Sequence, residues 1–183
     1  MPKAYVFLAD GVEETEAITV IDYLRRAGID TLTLSMSNQK MITGSHAIKV
    51  EADRLFKEVN LAGADILVLP GGPGYQTLLK TESLLELIRQ YHQNGKKLAA
   101  ICAAPSVLGA AGVLTGKKFT CFPGYEQKCT GGVLQNQAKR VIDGNIITGK
   151  GPGTAVDFSL SVIEALLGKA KSQEIATSTC FEE

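Results

Sequence analysis

Cys102 stands where a predicted strand meets a predicted helix. The apolar run Leu98-Ala99-Ala100-Ile101 is typical of a buried strand, and a helix is predicted to begin at about Ala104. Pro105 suits the first turn of that helix, where a missing backbone N–H costs little. A nucleophilic residue between strand and helix is the pattern of a nucleophile elbow, a turn so crowded that only small neighbours such as Ala100 and Ala104 fit beside it.

The position of Cys102 also predicts how its thiol would be activated. A thiol at a helix N-terminus feels the positive end of the helix dipole, which favours the reactive thiolate. The alternative is that Cys102 is a small buried core residue, which is common for cysteine. The residues alone do not choose between these two interpretations.

A second motif follows another predicted strand. The apolar run Leu67-Val68-Leu69 leads directly into Pro70-Gly71-Gly72. Paired glycines at the carboxyl end of a strand expose backbone N–H groups at the edge where open α/β folds bind ligands. The N–H groups of Gly72 and Ala103 could together form an oxyanion hole. The alternative is an ordinary tight turn, which the glycines favour when they are considered alone.

Acidic residues cluster at the first predicted strand-to-helix junction. Glu13, Glu14 and Glu16 follow Asp10-Gly11 at the same predicted edge of the sheet. Carboxylates in the first turn of a helix commonly do no more than complement its dipole, and this is the alternative to a catalytic acid. Helical spacing does not single out Glu16, because Glu13 would lie nearer the apolar stripe if the helix already included it.

The strands and helices that position Cys102, the paired glycines and the glutamates are predicted from short apolar runs that alternate with helical patterns. These patterns predict an α/β fold whose mostly parallel sheet is covered by helices on both faces. Residues 40–51 are predicted to form an antiparallel excursion at a sheet edge, and Thr154 with Asp157 fits a capping pattern at a helix start. The predicted strands are 3–8, 31–35, 65–69, 97–101, 140–142 and 145–148, and the predicted helices are 14–27, 83–94, one from about 104, and 154–167.

Composition limits the classes of function. The chain has 183 residues with 19 Lys+Arg and 19 Asp+Glu, so it lacks the basic excess that nucleic acid binding requires. No apolar run reaches the roughly 20 residues of a membrane span, and the N-terminal apolar stretch is too short for a signal peptide. We therefore expect a cytoplasmic protein that binds neither membrane nor nucleic acid, with residues 1–183 forming one domain.

The remaining cysteines and the histidines show no ligand spacing. The chain has four cysteines and two histidines, and none of them form the spaced pairs that hold zinc. We therefore expect no metal and no cofactor. Cys121, Cys129 and Cys180 are interpreted as structural or incidental residues, and His92 as a solvated surface residue.

Several motifs, taken together, resemble one family. The chain is similar to the ThiJ/PfpI superfamily, in particular to the branch that contains the parkinsonism-associated protein deglycase and its bacterial relatives. The similarity covers essentially the full length, including residues 168–183, which resemble that branch's extra C-terminal helix. It implies a homodimer and a flavodoxin-like three-layer α/β sandwich of the class I glutamine amidotransferase type. The motifs are Ala9-Asp10-Gly11 with Glu13-Glu14-Thr15-Glu16, Arg25-Arg26-Ala27-Gly28-Ile29, Leu69-Pro70-Gly71-Gly72, Ala99-Ala100-Ile101-Cys102-Ala103-Ala104-Pro105 and Gly151-Pro152-Gly153-Thr154.

The resemblance also implies roles for individual residues. Cys102 would be the reactive cysteine, and Glu16 would be the acid that hydrogen-bonds its sulfur. In such a pair the carboxyl is protonated while the sulfur is ionised, which is a coupled titration. Gly72 and Ala103 would donate backbone N–H groups beside the sulfur. Further positions implied at or near the pocket are Arg26, Gly71 and Pro152.

Two departures from the family pattern concern histidine. Family members that hydrolyse peptides carry a histidine directly after the cysteine, where this chain has Ala103. The deglycase branch often has a pocket histidine where this chain has Phe122, so one wall of the pocket would be apolar. His46 falls instead where the branch places an arginine that reaches across the dimer interface. A Cys-His protease or amidotransferase is therefore not expected.

Two hypotheses of different classes follow. The first is a cofactor-independent enzyme that converts methylglyoxal or glyoxal, or removes early glycation adducts from side chains, under oxidative or carbonyl stress. The second is a redox-sensing cysteine protein or stress chaperone with little turnover, because an accessible thiolate is what peroxide oxidises first. A role in thiamine-precursor metabolism rests only on a name of the superfamily, and no phosphate-binding motif supports it.

Overall fold

The apolar runs of the sequence form a seven-stranded central sheet in a computed structural model that describes residues 1–181. Residues 182 and 183, the end of the segment that resembles a C-terminal helix, lie outside the described residues. The strands are β1 (Lys3–Leu8), β2 (Asp30–Ser35), β3 (Met41–Thr43), β4 (Lys49–Glu51), β5 (Arg54–Leu55), β6 (Ile66–Leu69), β7 (Lys97–Ile101), β8 (Lys118–Phe119), β9 (Val133–Leu134), β10 (Arg140–Asp143) and β11 (Ile146–Gly149).

The central sheet has the strand order β10-β11-β7-β6-β1-β2-β5. Every neighbouring pair is parallel except β10 with β11, which form an antiparallel hairpin. All four residues of β6 and five of the six in β1 are buried. Such continuous apolar strands are expected where both faces of a sheet are covered, because neither face meets water. The predicted mostly parallel sheet is confirmed.

Helices cover both faces of this sheet. They are α1 (Glu14–Arg26), α2 (Tyr75–Lys80), α3 (Glu82–Gln93), α4 (Pro105–Ala110), α5 (Ala155–Leu167) and α6 (Lys169–Ser178). From β1 the chain moves to β2, and from β6 it moves the opposite way to β7, so right-handed crossovers put α1 and α3 on opposite faces. α1, α5 and α6 pack together, as do α2, α3 and α4. The predicted flavodoxin-like three-layer sandwich is confirmed.

One local prediction is confirmed and one was wrong. The antiparallel pairing over residues 40–51 is confirmed, since β3 and β4 pair with each other, and they form a two-stranded sheet of their own. Thr154 precedes α5, but its side chain does not cap the helix. Its Oγ1 atom instead accepts the N–H of Gly151 at 3.2 Å, within a tight 3-10 turn over Pro152–Thr154. Within residues 1–181, none of the helices is both long enough and apolar enough to cross a bilayer.

Candidate active site

The candidate site lies where the chain leaves β1 and β6 in opposite directions. The carboxyl ends of these adjacent strands lead into Glu13–Glu16 and Gly71-Gly72, and β7 beside β6 leads into Cys102. In open α/β folds ligands bind in the crevice at such a switch point, where the two connections diverge to opposite faces of the sheet. The fold therefore brings together three motifs that are distant in sequence.

Cys102 adopts a backbone conformation that is rare for its residue type. Its φ is +64°, in the left-handed region that costs a non-glycine residue of order 1 kcal/mol or more. Backbone hydrogen bonds on both sides hold it there. Its N–H donates to Gly149 O at 3.0 Å, and its carbonyl accepts the N–H of Phe122 at 2.9 Å. This sharp turn between β7 and α4 is the geometry of a nucleophile elbow.

Gly71 occupies a position where no side chain fits. A Cβ there would lie 2.6 Å from Cys102 Cβ and 2.8 Å from Glu16 Oε2. The Gly71 N–H donates to the same Glu16 Oε2 at 2.8 Å. The absence of a side chain therefore lets the thiol and the carboxyl meet, and the glycine backbone orients the carboxyl.

The N–H groups of Gly72 and Ala103 hydrogen-bond the Cys102 sulfur. Gly72 has a φ of +76°, and a Cβ there would collide with the backbone N of Glu13. Glycine is thus required by conformation and by space. The paired glycines do form a turn, but this turn also aims an N–H group at the cysteine.

Glu16 is the buried acid of the cluster. It lies in the first turn of α1 and is fully buried, whereas Glu13 caps the helix by accepting the Glu16 N–H on its Oε2 at 2.8 Å. The Oε1 atom of Glu16 has no well-directed hydrogen-bond partner among residues 1–181. Cys102 is the side chain that interacts with this carboxyl. The tertiary structure thus identifies Glu16, rather than Glu13, as the acid beside Cys102, a choice that helical spacing did not decide.

Burial raises the pKa of Glu16 to about 7. Hydrogen bonds from Cys102 and from the Gly71 N–H oppose the increase, and the negative charge of Glu13 adds to it. Burial dominates because the charged carboxylate loses its water. This carboxyl therefore changes protonation near neutral pH rather than near pH 4.

Burial also raises the pKa of the Cys102 thiol, to about 12. The charge of Glu16 adds to the increase, while the N–H groups of Gly72 and Ala103 oppose it. This direction is opposite to the one predicted from the helix dipole, because the sulfur is buried and α4 has only six residues. Two adjacent negative charges repel, so Cys102 and Glu16 titrate as a pair. The pair loses its first proton at about pH 7 and then carries one negative charge.

His46 contacts Glu14 rather than the sulfur. Its Nδ1 lies 2.9 Å from Glu14 Oε2, and its side chain is 71% exposed. Burial alone would raise the pKa of Glu14, but hydrogen bonds from the His46 ring and backbone and from Ser45 bring it to about 2. The pKa of His46 is raised by its hydrogen bond to Glu14. This ion pair anchors the turn between β3 and β4 beside the crevice.

The same residues form a group of potential metal ligands. One ligand atom from each of Glu13, Glu14 and His46 lies within 4.8 Å of the others. Both carboxylates are already engaged, however, because Glu13 caps α1 and Glu14 holds the β3–β4 turn. The arrangement is that of a structural anchor for the β3–β4 turn.

Arg26 does not reach the crevice. It is the last residue of α1, whereas Glu16 lies in the first turn, and ten residues at ~1.5 Å each separate them by about 15 Å. Its Nε donates to Asp22 Oδ2 at 2.6 Å on the exposed side of the helix. The expectation of a pocket arginine at this position was therefore wrong for a single copy of the chain.

Phe122 and Pro152 lie on the β11 side of the elbow. The Phe122 N–H holds the Cys102 carbonyl, and a Cβ on Gly151 would be 3.0 Å from Phe122 Cδ2, so the ring covers that glycine. The ring is 42% exposed and meets Tyr125 edge-on at a centroid distance of 6.4 Å. Pro152 begins the turn after β11. These residues give the elbow an apolar flank.

Comparison with known proteins identifies similar chains. Residues 2–165 match the model of the DJ-1/PfpI family. Protein dj-1beta of Drosophila melanogaster is 39% identical over 176 residues, which are 95% of this chain and 94% of that protein. Glutathione-independent glyoxalase DJR-1.2 of Caenorhabditis elegans is 33% identical over 173 residues, 94% of this chain and 92% of that protein.

Some relatives are longer than this chain. Protein DJ-1 homolog B of Arabidopsis thaliana is 38% identical over 176 residues, which are 95% of this chain. The chain spans only 40% of that protein and 44% of its homolog A.

Solved structures share the fold over its whole extent. The crystal structure of Drosophila melanogaster DJ-1beta has a TM-score of 0.94 and 35% identity, with 100% of this chain and 99% of that chain covered. Oxidized DJ-1 of Toxoplasma gondii has a TM-score of 0.93 and 30% identity, with both chains covered completely.

Proposed function

The chain belongs to the DJ-1/PfpI family, and on that premise we propose that it is a cofactor-independent cysteine enzyme that detoxifies reactive carbonyls such as methylglyoxal and glyoxal. The observation that carries the proposal is the buried pair of Cys102 and Glu16, with the N–H groups of Gly72 and Ala103 on the sulfur. A relative named as a glutathione-independent glyoxalase supports this class of reaction.

The first step is addition of the Cys102 sulfur to the aldehyde carbon. The Glu16 carboxylate takes the thiol proton as the C–S bond forms, and the aldehyde oxygen becomes an oxyanion that accepts N–H groups of Gly72 and Ala103. Protonation of this oxygen gives a hemithioacetal. A carboxyl with a pKa of about 7 suits the role, because it can both accept and return a proton near neutral pH.

The second step moves a proton between two carbon atoms. Glu16 removes the proton from the carbon bonded to sulfur, and a proton is returned to the neighbouring carbonyl carbon. The first carbon is thereby oxidised to a thioester while its neighbour is reduced to an alcohol, so no external oxidant or reductant is required. Water then hydrolyses the thioester, which gives lactate from methylglyoxal or glycolate from glyoxal and restores the thiol.

The same addition would act on early glycation adducts of cysteine, lysine or arginine side chains. Peptide hydrolysis is a weaker candidate, because within residues 1–181 neither histidine contacts Cys102. His46 pairs with Glu14, and His92 lies 3.4 Å from the amide of Asn145. The Cys102–Glu16 pair is suited to carbonyl addition and proton transfer rather than to a Cys-His mechanism.

The test supplies purified protein with methylglyoxal and follows lactate. Replacing Cys102 by serine removes the nucleophile, and we expect turnover to fall by about a thousandfold or more. Cys180→Ser is the matched control, because this cysteine is exposed, and it should retain wild-type turnover. Lactate formation that survives in Cys102→Ser would contradict the proposal.

A redox-sensing role is the second candidate function. The Glu16 carboxyl is buried and interacts with Cys102, so in its protonated form it could hydrogen-bond an oxygen of a sulfinate and halt oxidation there. Intact-mass analysis after mild peroxide distinguishes the two roles. Selective uptake of two oxygens at Cys102 without carbonyl consumption favours the sensor, whereas oxidation scattered over all cysteines argues against it.

We also propose a homodimer with one domain per chain, and the cytoplasmic location stays a prediction. Ile18 on α1 and Ile48 beside the His46 turn are 44% and 56% exposed, and the Ile48 N–H lies 3.4 Å from Glu14 Oε1. Pairing two copies would remove such apolar surface from water. Light scattering after size exclusion should give twice the chain mass, and a monomer mass at micromolar concentration would contradict the dimer.

A further inference from the structure

Cys121 and Cys129 are in contact, although their spacing in the sequence gave them no partner. Both are reduced and only 3% exposed, and the two side chains lie close enough for each thiol to shift the pKa of the other. The Cys129 Sγ also lies 3.5 Å from Tyr125 O, within the same segment. The fold thus buries two thiols side by side, outside the Cys102–Glu16 pair.

The segment that joins the two thiols is short and exposed. Residues 122–124, 127 and 128 are exposed, and the only regular structure between the cysteines is a single 3-10 turn, Glu126–Lys128. The segment belongs to no strand of the central sheet, and exposed connections of this kind open locally at low cost in free energy. Small solutes can therefore reach the buried sulfur atoms without unfolding of the central sheet.

The two sulfur atoms are chemically unequal. The hydrogen bond from Cys129 lowers the pKa of Cys121, as does the charge of Lys150, whereas burial and the charge of Glu126 oppose the decrease. The pKa of Cys129 is raised by the same hydrogen bond and by burial. Cys121 is therefore the nucleophile of the two, and Cys129 is the thiol beside it that can form the second bond.

We propose that Cys121 and Cys129 form a second redox-active site, a dithiol that hydrogen peroxide converts to a disulfide independently of Cys102. The Cys121 sulfur attacks peroxide and takes one oxygen, which releases one water. The Cys129 sulfur then attacks Cys121, and the oxygen leaves as a second water while the S–S bond forms. The two thiols lose two electrons and two protons, and these reduce one peroxide to two waters.

The sequence provides a direct assay, because trypsin cuts between the two cysteines. Cleavage after Lys118, Lys128 and Lys139 places Cys121 in peptide 119–128 and Cys129 in peptide 129–139. The folded, fully reduced protein is treated with hydrogen peroxide, its free thiols are alkylated, and it is then digested without reductant. We expect the two peptides to appear as one disulfide-linked species that separates on reduction.

Three variants show which cysteines the disulfide-linked species requires. Cys129→Ser should abolish the linked species, whereas Cys102→Ser and Cys180→Ser should form it as the wild type does. Persistence in Cys102→Ser separates this proposal from the carbonyl chemistry, which that variant loses. The proposal is overturned if both peptides of the folded wild type remain fully alkylated after Cys102 has been oxidised. It is also overturned if the link forms only in denaturant or only when Cys102 is present.

Discussion

The elbow at Cys102 and the segment over residues 121–129 hold cysteines in opposite ways. Cys102 follows a buried parallel strand and is fixed by backbone hydrogen bonds and a left-handed φ, so its sulfur meets one permanent partner, Glu16. Cys121 and Cys129 are joined by an exposed segment with one short turn. Rigid placement suits a thiol that must meet a substrate, whereas an exposed connection outside the sheet suits thiols that must move together.

Filling the space at Gly71 should have the largest effect on the rigid region. Gly71→Ala places a Cβ 2.6 Å from Cys102 Cβ and 2.8 Å from Glu16 Oε2, which forces the reacting pair apart. We expect carbonyl turnover to fall about a hundredfold, because small displacements of reacting groups are costly. Overpacking should also lower the free energy of unfolding by about 1–3 kcal/mol, measured by urea denaturation.

Gly153→Ala is the matched control, because a Cβ there meets no atom within 4 Å. It should retain both activity and stability. The disulfide link between Cys121 and Cys129 should form normally in both glycine variants. Wild-type turnover in a folded Gly71→Ala protein would show that the close approach of thiol and carboxyl is not required.

Phe122 belongs to both regions, so its replacement should have an intermediate effect. Phe122→His makes the apolar flank of the elbow polar while keeping a ring of similar shape beside Tyr125. We expect kcat/KM for phenylglyoxal, relative to methylglyoxal, to fall about three- to tenfold, since an aromatic contact contributes on the order of 1 kcal/mol. An unchanged ratio would place the substrate's side group elsewhere in the crevice.

Glu13→Gln should produce the smallest change. Glutamine keeps the side-chain oxygen that caps α1, but it removes a negative charge that raises the pKa of Glu16. The pH at which Cys102 becomes reactive should therefore move down by less than about one unit. A shift upward in pH would contradict the assigned sign of this charge interaction.

The fold was largely predictable, because parallel strands buried on both faces leave apolar runs in the sequence. The antiparallel pair over residues 40–51 was also predictable, although a pattern of strands does not state that the pair forms a separate sheet. The elbow was predictable from the small residues around Cys102. Three features depend on tertiary packing, which spacing along one element does not encode. They are the distance of Arg26 from the site, the choice of Glu16 over Glu13 as the buried acid, and the contact between Cys121 and Cys129.

The direction in which the Cys102 pKa is shifted could also not be predicted from the local sequence pattern. A cysteine at the start of a helix predicts a lowered thiol pKa, but burial and the charge of Glu16 raise it. The family resemblance implied a coupled pair with a protonated carboxyl and an ionised sulfur, whereas pKa values of about 7 for Glu16 and about 12 for Cys102 make the carboxyl the first to ionise. One buried carboxyl and one buried thiol cannot both be charged at low cost, so they share a proton.

The central claim is that Cys102 and Glu16 share this proton, and the rate of Cys102 alkylation as a function of pH tests it most directly. In the wild type the rate should rise with a midpoint of about 7, where Glu16 becomes a carboxylate that can accept the thiol proton. In Glu16→Gln no carboxylate accepts that proton. Loss of the Glu16 charge lowers the thiol pKa, but burial still raises it, so the midpoint should move upward by more than about one unit. The same midpoint in both proteins, or an ordinary thiol midpoint in the wild type, would contradict the account.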